Sequence, residues 1–120
     1  MTAERLRWGV LGAADIANKA VIPAILGAGG ELVALASRDP KRGRDLAARF
    51  QIPQLCPSYE ALLEVELDAV YIPLPNSLHR PWTLRAVAAG SHVLCEKPLA
   101  LTAAEAREMR RAAADAGLVL

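Results

Sequence analysis

The chain has 120 residues, 53% of them hydrophobic and 4% aromatic, and its net charge is +1 at neutral pH. This length suits one domain with a sizeable core, and the composition excludes a disordered chain. The scattered basic residues do not favour nucleic acid or an anionic membrane as a partner, and no apolar run is long enough to span a bilayer. Cys56 and Cys95 lack C-x-x-C spacing, which indicates reduced thiols in a cytoplasmic protein, and we predict neither a disulfide nor a metal site.

The first predicted strand covers residues 6–11 and leads through a turn of small residues into a helix. The predicted inner face of this helix is Ile16, Ala20, Pro23, Ala24 and Gly27. Pro23 is expected to kink or interrupt the helix, and Gly29 and Gly30 are expected to end it. Residues 32–36 are apolar without a break, which is typical of a strand buried on both faces of a parallel sheet.

The second half of the chain continues the alternation of helix and strand. Asp39 has the form of an N-cap before Pro40, and the helix that it opens is predicted to bury Gly43, Leu46, Ala47 and Phe50. Further strands are predicted at residues 52–56, 69–72, 92–95 and 118–120, and further helices at 59–64, at 77–89 and after the capping box of Thr102 and Glu105. The alternation predicts an α/β fold, a doubly wound parallel sheet of the Rossmann type, as a single domain over residues 1–120.

The turn after the first strand has the spacing of a phosphate-binding motif. Its sequence is Gly12-Ala13-Ala14-Asp15-Ile16-Ala17, which matches the dinucleotide fingerprint G-x-G-x-x-G/A except at the middle glycine, where Ala14 stands. Gly12 suits the tight turn, and Ala17 suits close packing of the helix on the strand. Backbone N–H groups and the helix dipole converge near Gly12 and Ala13, where they favour a phosphate. On this motif alone, a strand-turn-helix without a ligand remains equally open.

Polar or conformationally special residues also follow the other central strands. Ser37 and Arg38 follow the second strand, the segment 73–76 (Pro-Leu-Pro-Asn) follows the fourth, and the segment 96–98 (Glu-Lys-Pro) follows the fifth. Ligands of doubly wound sheets bind beyond the carboxyl ends of the strands, where the strand order reverses. The pattern therefore predicts a nucleotide site at this edge.

The end of the second strand indicates which nicotinamide cofactor binds. A carboxylate there accepts hydrogen bonds from the ribose 2′-hydroxyl of NAD and repels the 2′-phosphate of NADP. This chain instead offers Ser37 and Arg38, and Lys41 and Arg42 add positive charge nearby. We therefore predict NADP, with NAD as the less favoured cofactor. In the alternative, Arg38 is a solvated loop residue and Asp39, which is better explained as a helix cap, accepts from the ribose.

Three motifs together resemble the N-terminal domain of the Gfo/Idh/MocA oxidoreductases. These motifs are the turn at 12–17, the segment 73–79 (Pro-Leu-Pro-Asn-Ser-Leu-His) and the segment 96–98. The resemblance covers the whole chain and is nearest to the branch of dihydrodiol and xylose dehydrogenases, which tends to use NADP and to carry a pair like Ser37 and Arg38. It implies an NADP-dependent oxidoreductase that moves a hydride between a sugar, polyol or diol carbinol and the nicotinamide.

The resemblance also assigns roles to individual residues. Lys97 is expected to lie by the nicotinamide ribose and the substrate carbinol and to assist proton transfer, for which a lysine near positive charge is suited. Glu96 and Pro98 are expected to set its position, and the Lys97–Pro98 peptide is a candidate for the cis form. Asn76 and His79 are expected to line the nicotinamide side of the cleft. The alternatives are a solvent-exposed His79 at a helix N-terminus and a Lys97 that is only an exposed loop residue.

The sequence thus predicts one catalytic residue, Lys97, and a larger set of cofactor contacts. The predicted contacts are Gly12, Ala13, Ala14, Asp15, Ile16, Ser37, Arg38, Pro73, Leu74, Asn76, His79, Glu96, Lys97 and Pro98. Family members continue into a C-terminal α/β domain that supplies the substrate pocket and usually the dimer interface, and the sequence leaves a homo-oligomer open. We expect these 120 residues to bind the dinucleotide only weakly and not to turn over substrate unaided. The alternative function is not enzymatic: the chain is then an NAD(P)-binding sensor or regulatory module without catalysis.

Overall fold

The computed structural model describes residues 5–120, except for the side chains of residues 17 and 18. Within this range, five parallel strands form one sheet in the order β3-β2-β1-β4-β5. The strands are β1 (Arg7–Leu11), β2 (Glu31–Ala36), β3 (Gln54–Cys56), β4 (Ala69–Ile72) and β5 (His92–Cys95). The chain starts in the middle of the sheet, builds outward to β3 and returns to the other side of β1. The predicted doubly wound parallel sheet is confirmed, and its strand order reverses between β1 and β4.

Helices connect the strands on both faces of the sheet. They are α1 (Ile22–Gly27), α2 (Pro40–Phe50), α3 (Tyr59–Leu63), α4 (His79–Ala88) and α5 (Ala103–Asp115). A π-helical turn, Ala17–Val21, leads into α1, and a 3-10 turn, Asn76–Leu78, leads into α4. The N-cap predicted at Asp39 is present, since its Oδ1 accepts the backbone N–H of Lys41 at 3.0 Å and of Arg42 at 3.3 Å. In the described part of the chain, no helix combines the length and the apolarity that crossing a membrane requires.

Two layers of apolar side chains hold the sheet between the helices. The face under α1 and α2 buries Val10, Ile22, Leu35 and Tyr71. The face under α3, α4 and α5 buries Leu11, Leu62, Ile72 and Trp82. Each fully buried Val, Leu or Ile contributes about 1.5–3 kcal/mol relative to its exposed form. These two layers keep the carboxyl ends of β1, β2 and β4 side by side at one edge of the sheet.

The prediction of which residues form the inner face of the first helix is wrong. The structure packs Val21 and Ile25 against the core, one position later than the expected stripe, and leaves Ile16 46% exposed. The reason is the π-helical turn, because its i→i+5 bonding inserts one residue and rotates the following face by about 100°. Pro23 lies directly after this turn, so the interruption that the proline predicts is present.

Two predictions for the far edge of the sheet are also wrong. Residues 92–95 are expected to form a buried strand, but α1 and α2 lie over the other end of the sheet and leave Leu94 of β5 44% exposed. Residues 118–120 run beside β5 without forming a strand. Val93 donates its N–H to the Val119 carbonyl at 2.9 Å, but the Val119 N–H donates to the His92 ring at 3.0 Å instead of extending the ladder. Only one backbone bond therefore joins this segment to β5 within the described residues.

Both cysteines are free thiols, as the sequence predicts. Cys56 is buried beneath the helices, and Cys95 is partly buried at the end of β5. Burial raises the pKa of both thiols, that of Cys95 to about 11. Both thiols therefore stay protonated at neutral pH and act as small apolar side chains.

Helix α4 buries a hydroxyl group beside the Cys95 thiol. Thr83 is fully buried, and its Oγ1 has no oxygen or nitrogen partner among the described residues, so the thiol, a weak acceptor, is the polar group that it meets. Valine has nearly the same shape without the polar atom, so Thr83→Val is expected to raise the free energy of unfolding in urea by about 1 kcal/mol. Thr102→Val is the matched control. Its Oγ1 accepts the Glu105 N–H at 3.1 Å, so the same change there is expected to lower that free energy by about 1 kcal/mol. A Thr83→Val protein that unfolds at a lower urea concentration would contradict this assignment.

Candidate functional site

The candidate site is a cleft at the carboxyl edge of the sheet, where the strand order reverses. A cavity of about 180 Å³ opens there between the ends of β1, β2 and β4. The predicted residues that line it are Gly12, Ala13, Ala14, Ser37, Arg38, Pro73 and Leu74. Three loops that are far apart in the sequence therefore meet at one cavity, in the place where a doubly wound sheet binds its ligand.

Gly12 makes the turn at the end of β1 possible. Its φ angle is 111°, a conformation that residues with a side chain rarely adopt. Its N–H donates to the Ala36 carbonyl at 2.7 Å, and a Cβ at this position would lie 3.1 Å from Cδ2 of Leu74. The backbone angle and the neighbouring side chain therefore both require glycine here, in agreement with the tight turn predicted from the sequence.

Ala13 and Ala14 follow Gly12 and separate two adjoining cavities. The second cavity has a volume of about 260 Å³ and is lined by both alanines together with Asp15 and Arg42. The Arg42 Nη2 donates to the Asp15 Oδ1 at 3.0 Å, with both side chains more than half exposed. An exposed ion pair of this kind adds little to stability. It does hold a guanidinium, which also lines the first cavity, close to the turn.

The fingerprint continues with Ile16 and Ala17. Ile16 is 46% exposed and lines neither of them. The side chain of Ala17, which the sequence assigns to close packing of helix on strand, lies outside the described part of the structure. The geometry of this chain therefore gives no support to a cofactor contact by Ile16.

The end of β2 presents a guanidinium without a partner. Ser37 donates its hydroxyl to the Asp39 carbonyl at 2.9 Å and accepts the Asp39 N–H at 3.1 Å. The Asp39 carboxylate caps α2 and is thus already bonded. Arg38 is exposed, and no carboxylate within residues 5–120 pairs with it. The loop therefore offers the cavity the Arg38 guanidinium and, beside it, the side chain of Asp39, whose Oδ1 is already used by the cap.

His79 does not lie where the sequence places it. Its ring is fully buried, with Nε2 2.7 Å from the Leu74 carbonyl oxygen and Nδ1 2.8 Å from the Pro98 carbonyl oxygen. The ring therefore joins the loop after β4 to the loop after β5. It lies neither in the cleft nor in solvent, so both positions expected for it are wrong. These carbonyls come to the ring only through the tertiary fold. Asn76 is exposed in the 3-10 turn and does not line the cavity.

The Glu-Lys-Pro segment follows β5 directly. The Lys97–Pro98 peptide is cis, as expected. Lys97 is exposed, and within the described residues no carboxylate forms an ion pair with its ammonium group. Glu96 donates its N–H to the Ile72 carbonyl at 3.1 Å, and its Oε2 accepts the Tyr71 hydroxyl at 2.6 Å. The segment lies outside the cavity formed by the first three loops, at the next strand end along the same edge.

The contact of Tyr71 with Glu96 is missed by the sequence reasoning, which treats residues 69–72 as a buried strand and nothing more. The available signal is a single phenol in an otherwise aliphatic strand, because a buried tyrosine hydroxyl usually has a hydrogen-bond partner. The partner itself follows only from the pairing of β4 with β5, in which Ile72 lies beside Cys95.

Comparisons with known proteins bear on this geometry. The sequence model of the Gfo/Idh/MocA oxidoreductases, described as an oxidoreductase family with an NAD-binding Rossmann fold, matches residues 6–120. A 1,5-anhydro-D-fructose reductase from Ensifer adhaerens is 49% identical over 115 residues, which are 95% of this chain and 34% of the relative. The D-xylose 1-dehydrogenase (NADP⁺) 2 of Haloferax volcanii is 47% identical over 116 residues, 96% of this chain and 36% of the relative.

A solved structure shares the architecture. The crystal structure of a 3-ketoreductase from Actinomadura kijaniata in complex with NADP and TDP-benzene superposes with a TM-score of 0.92 at 41% identity. The superposition covers 98% of this chain and 36% of the ketoreductase. The chain therefore spans about a third of the length of the relatives that it matches.

Proposed function

Because this chain belongs to the Gfo/Idh/MocA oxidoreductase family, whose NAD-binding Rossmann fold it forms over residues 6–120, we propose that its cleft binds NADP(H). The cavity lined by Gly12, Ala14 and Arg38 carries the proposal. In it, the turn after β1 and the Arg38 guanidinium, which forms no ion pair within the described residues, line the same space. Bare backbone N–H groups in such a turn suit a pyrophosphate, and a guanidinium suits the additional phosphate of NADP.

The preference for NADP over NAD rests on how the residues after β2 are used. The Asp39 Oδ1 already accepts two backbone N–H groups of α2, so the carboxylate is partly engaged as a helix cap and only its Oδ2 is left for a ribose hydroxyl. Arg38 is exposed beside it without an ionic partner among the described residues. Arg42, which lines the same cavity, adds a second positive charge. The two guanidinium groups therefore favour a 2′-phosphate there, beside an Asp39 carboxylate that is partly used by the helix cap.

We further propose that Lys97 is the catalytic residue of the whole protein. When bound, the nicotinamide supplies or accepts the hydride. Lys97 holds the oxygen of the carbinol or carbonyl group by a hydrogen bond from its ammonium group and moves the proton to or from that oxygen. Its ammonium group is free for this task because no carboxylate among the described residues pairs with it. Glu96 and Pro98 on either side fix the backbone from which it extends.

The substrate class that we propose is a sugar or a related polyol or diol. The relatives named above include a reductase of 1,5-anhydro-D-fructose and a dehydrogenase of D-xylose, which both act on a carbinol or carbonyl carbon of a sugar. In the relatives, roughly two thirds of the chain lies outside the matched part. We therefore propose that residues 1–120 bind the cofactor, and that turnover requires the substrate pocket of the whole protein.

A titration of the chain with NADPH, followed by nicotinamide fluorescence, tests the cofactor site. Ala14→Leu fills the space between the two cavities, so it is expected to raise the Kd for NADPH by about tenfold or more while the far-UV circular dichroism stays unchanged. Ala114→Leu is the matched control. Ala114 is exposed on α5, far from the cleft, and the same added side chain there is expected to leave the Kd as in the wild type.

Two results would count against the proposed site. If neither NADPH nor NADH changes the fluorescence of the wild-type chain or of the full-length protein, the cleft is not a dinucleotide site. If NADPH binds but Ala14→Leu has the same Kd as Ala114→Leu, the dinucleotide lies somewhere other than the turn after β1.

A further inference from the structure

Tyr71 lies where the core of the domain meets the segment that bears the proposed catalytic lysine. Its ring is in β4 with a side chain only 1% exposed, packed in the cluster that contains Val10 and Ile22. Its hydroxyl leaves this apolar layer at the carboxyl edge of the sheet and donates to the Glu96 Oε2 at 2.6 Å. Since a phenol that donates to a carboxylate forms a short and strong hydrogen bond, this contact ties the rigid core to the residue before Lys97.

The carboxylate of Glu96 is held from more than one side. Its Oε2 accepts the Tyr71 hydroxyl, and its Oε1 lies 3.4 Å from the backbone N–H of Lys97. The Glu96 N–H is bonded in turn to the Ile72 carbonyl, which extends the pairing of β4 with β5 by one residue. Removing the phenol oxygen leaves the carboxylate with one long backbone contact, so both Glu96 and the next peptide lose their side-chain support.

The Tyr71 phenol stays protonated, as a permanent hydrogen-bond donor to Glu96 must. Burial raises the pKa of its phenol well above the usual range for tyrosine, and the hydrogen bond to Glu96 and the negative charge of Glu96 raise it further. The phenol therefore remains protonated at any physiological pH and donates to the carboxylate without itself accepting a proton. A role as a general base is excluded for it by the same environment.

We propose that Tyr71 is a positioning residue, whose hydroxyl holds the Glu96 carboxylate and through it fixes the backbone that presents Lys97. This inference rests on the catalytic role proposed above for Lys97. Tyr71 itself touches neither cofactor nor substrate. Its contribution passes through Glu96, so its loss displaces the lysine and leaves the turn after β1 and Arg38, where the phosphates are proposed to bind, untouched.

Tyr71→Phe tests the inference because it removes one oxygen atom and keeps the ring in the core. The backbone and side-chain NMR signals of Glu96 and Lys97 in the chain are expected to shift. In the full-length protein, kcat is expected to fall about tenfold to a hundredfold, as for a reacting group that is misplaced by a fraction of an ångström, while the Kd for NADPH stays as in the wild type. Ser58→Ala is the control for a loss of stability alone, since it removes the Ser58 hydroxyl that caps α3 and leaves β4 and β5 untouched.

A second experiment distinguishes a positioning role of Tyr71 from a general structural role. In a Lys97→Met background, adding Tyr71→Phe is expected to cause no further loss of kcat, because the group that Tyr71 positions is already gone. A further loss as large as in the wild-type background overturns the inference, and so do unshifted NMR signals of Glu96 and Lys97 in Tyr71→Phe. If Lys97→Met itself retains wild-type kcat, the proposed catalytic function fails, and the NMR signals still decide whether Tyr71 fixes the segment.

Discussion

Lys97→Met is expected to reduce kcat of the full-length protein by about 10²–10⁴-fold, because general acid–base assistance by one positioned side chain is of that size. Methionine keeps the length of the apolar stem and removes only the ammonium group. Because the lost interaction is made with the reacting oxygen, kcat and kcat/KM are expected to fall together. Binding of NADPH, measured by fluorescence on the same preparation, is expected to weaken far less than kcat falls, since Lys97 is one contact at the nicotinamide end and the turn after β1 and Arg38 are unchanged.

Lys19→Met is the matched control for the loss of a positive charge. Lys19 is exposed in the π-helical turn before α1, away from the Glu-Lys-Pro segment, and the chain has no other lysines than Lys19, Lys41 and Lys97. This variant is expected to turn over substrate as the wild type does. If Lys97→Met is equally active, the proton is moved by another group, and the proposal reduces to a cofactor-binding module without a catalytic lysine.

The parts of the fold that follow from the sequence are those that nearby residues decide. Asp39 caps α2 through N–H groups two and three residues away, and Gly12 takes a positive φ angle because the turn is tight. Both could be predicted from local spacing alone. The strand pattern is similarly local, since apolar runs such as residues 32–36 specify strands that are buried on both faces.

The parts that do not follow depend on partners far away in the chain. The π-helical turn before α1 changes the buried face by one residue, and no pattern in residues 16–27 shows where an extra residue is inserted. His79 carries a polar ring that suits either a ligand or solvent, but two carbonyls from different loops surround it. The exposure of Leu94 depends on which strands α1 and α2 cover, which is a property of the layers.

The site was predicted in the same uneven way. Seven of the residues that line the cavity are predicted, because they follow the ends of central strands and the topology brings those ends together. Tyr59, Pro75 and Leu78 also line it and are not among the predicted contacts. The side-chain contacts that hold the site residues in place do not follow from the sequence. The hydrogen bond from Tyr71 to Glu96 and the ion pair of Arg42 with Asp15 join residues 25 and 27 positions apart. Only the paired strands and packed helices put these partners within reach.

Replacing Arg38 with alanine is expected to weaken binding of NADPH by about 10- to 150-fold, which corresponds to the 1.5–3 kcal/mol of a hydrogen bond to a charged group. The Kd for NADH is expected to stay as in the wild type, because NADH lacks the 2′-phosphate that the guanidinium binds. Arg110→Ala, which removes an exposed arginine on α5, is the matched control and is expected to change neither Kd. Part of the difference is expected to disappear at high ionic strength, since an exposed charge is screened.

The same titrations distinguish the two roles that are open to Asp39. If its carboxylate only caps α2, Asp39→Ala is expected to lower the free energy of unfolding by about 1 kcal/mol and to leave the ratio of the two Kd values unchanged. If instead the carboxylate accepts from the ribose, Asp39→Ala weakens NADH far more than NADPH, and Arg38→Ala then affects both cofactors alike. The geometry favours the first outcome, because the Asp39 Oδ1 already accepts the N–H groups of Lys41 and Arg42, whereas the Arg38 guanidinium beside the cavity has no carboxylate partner among residues 5–120.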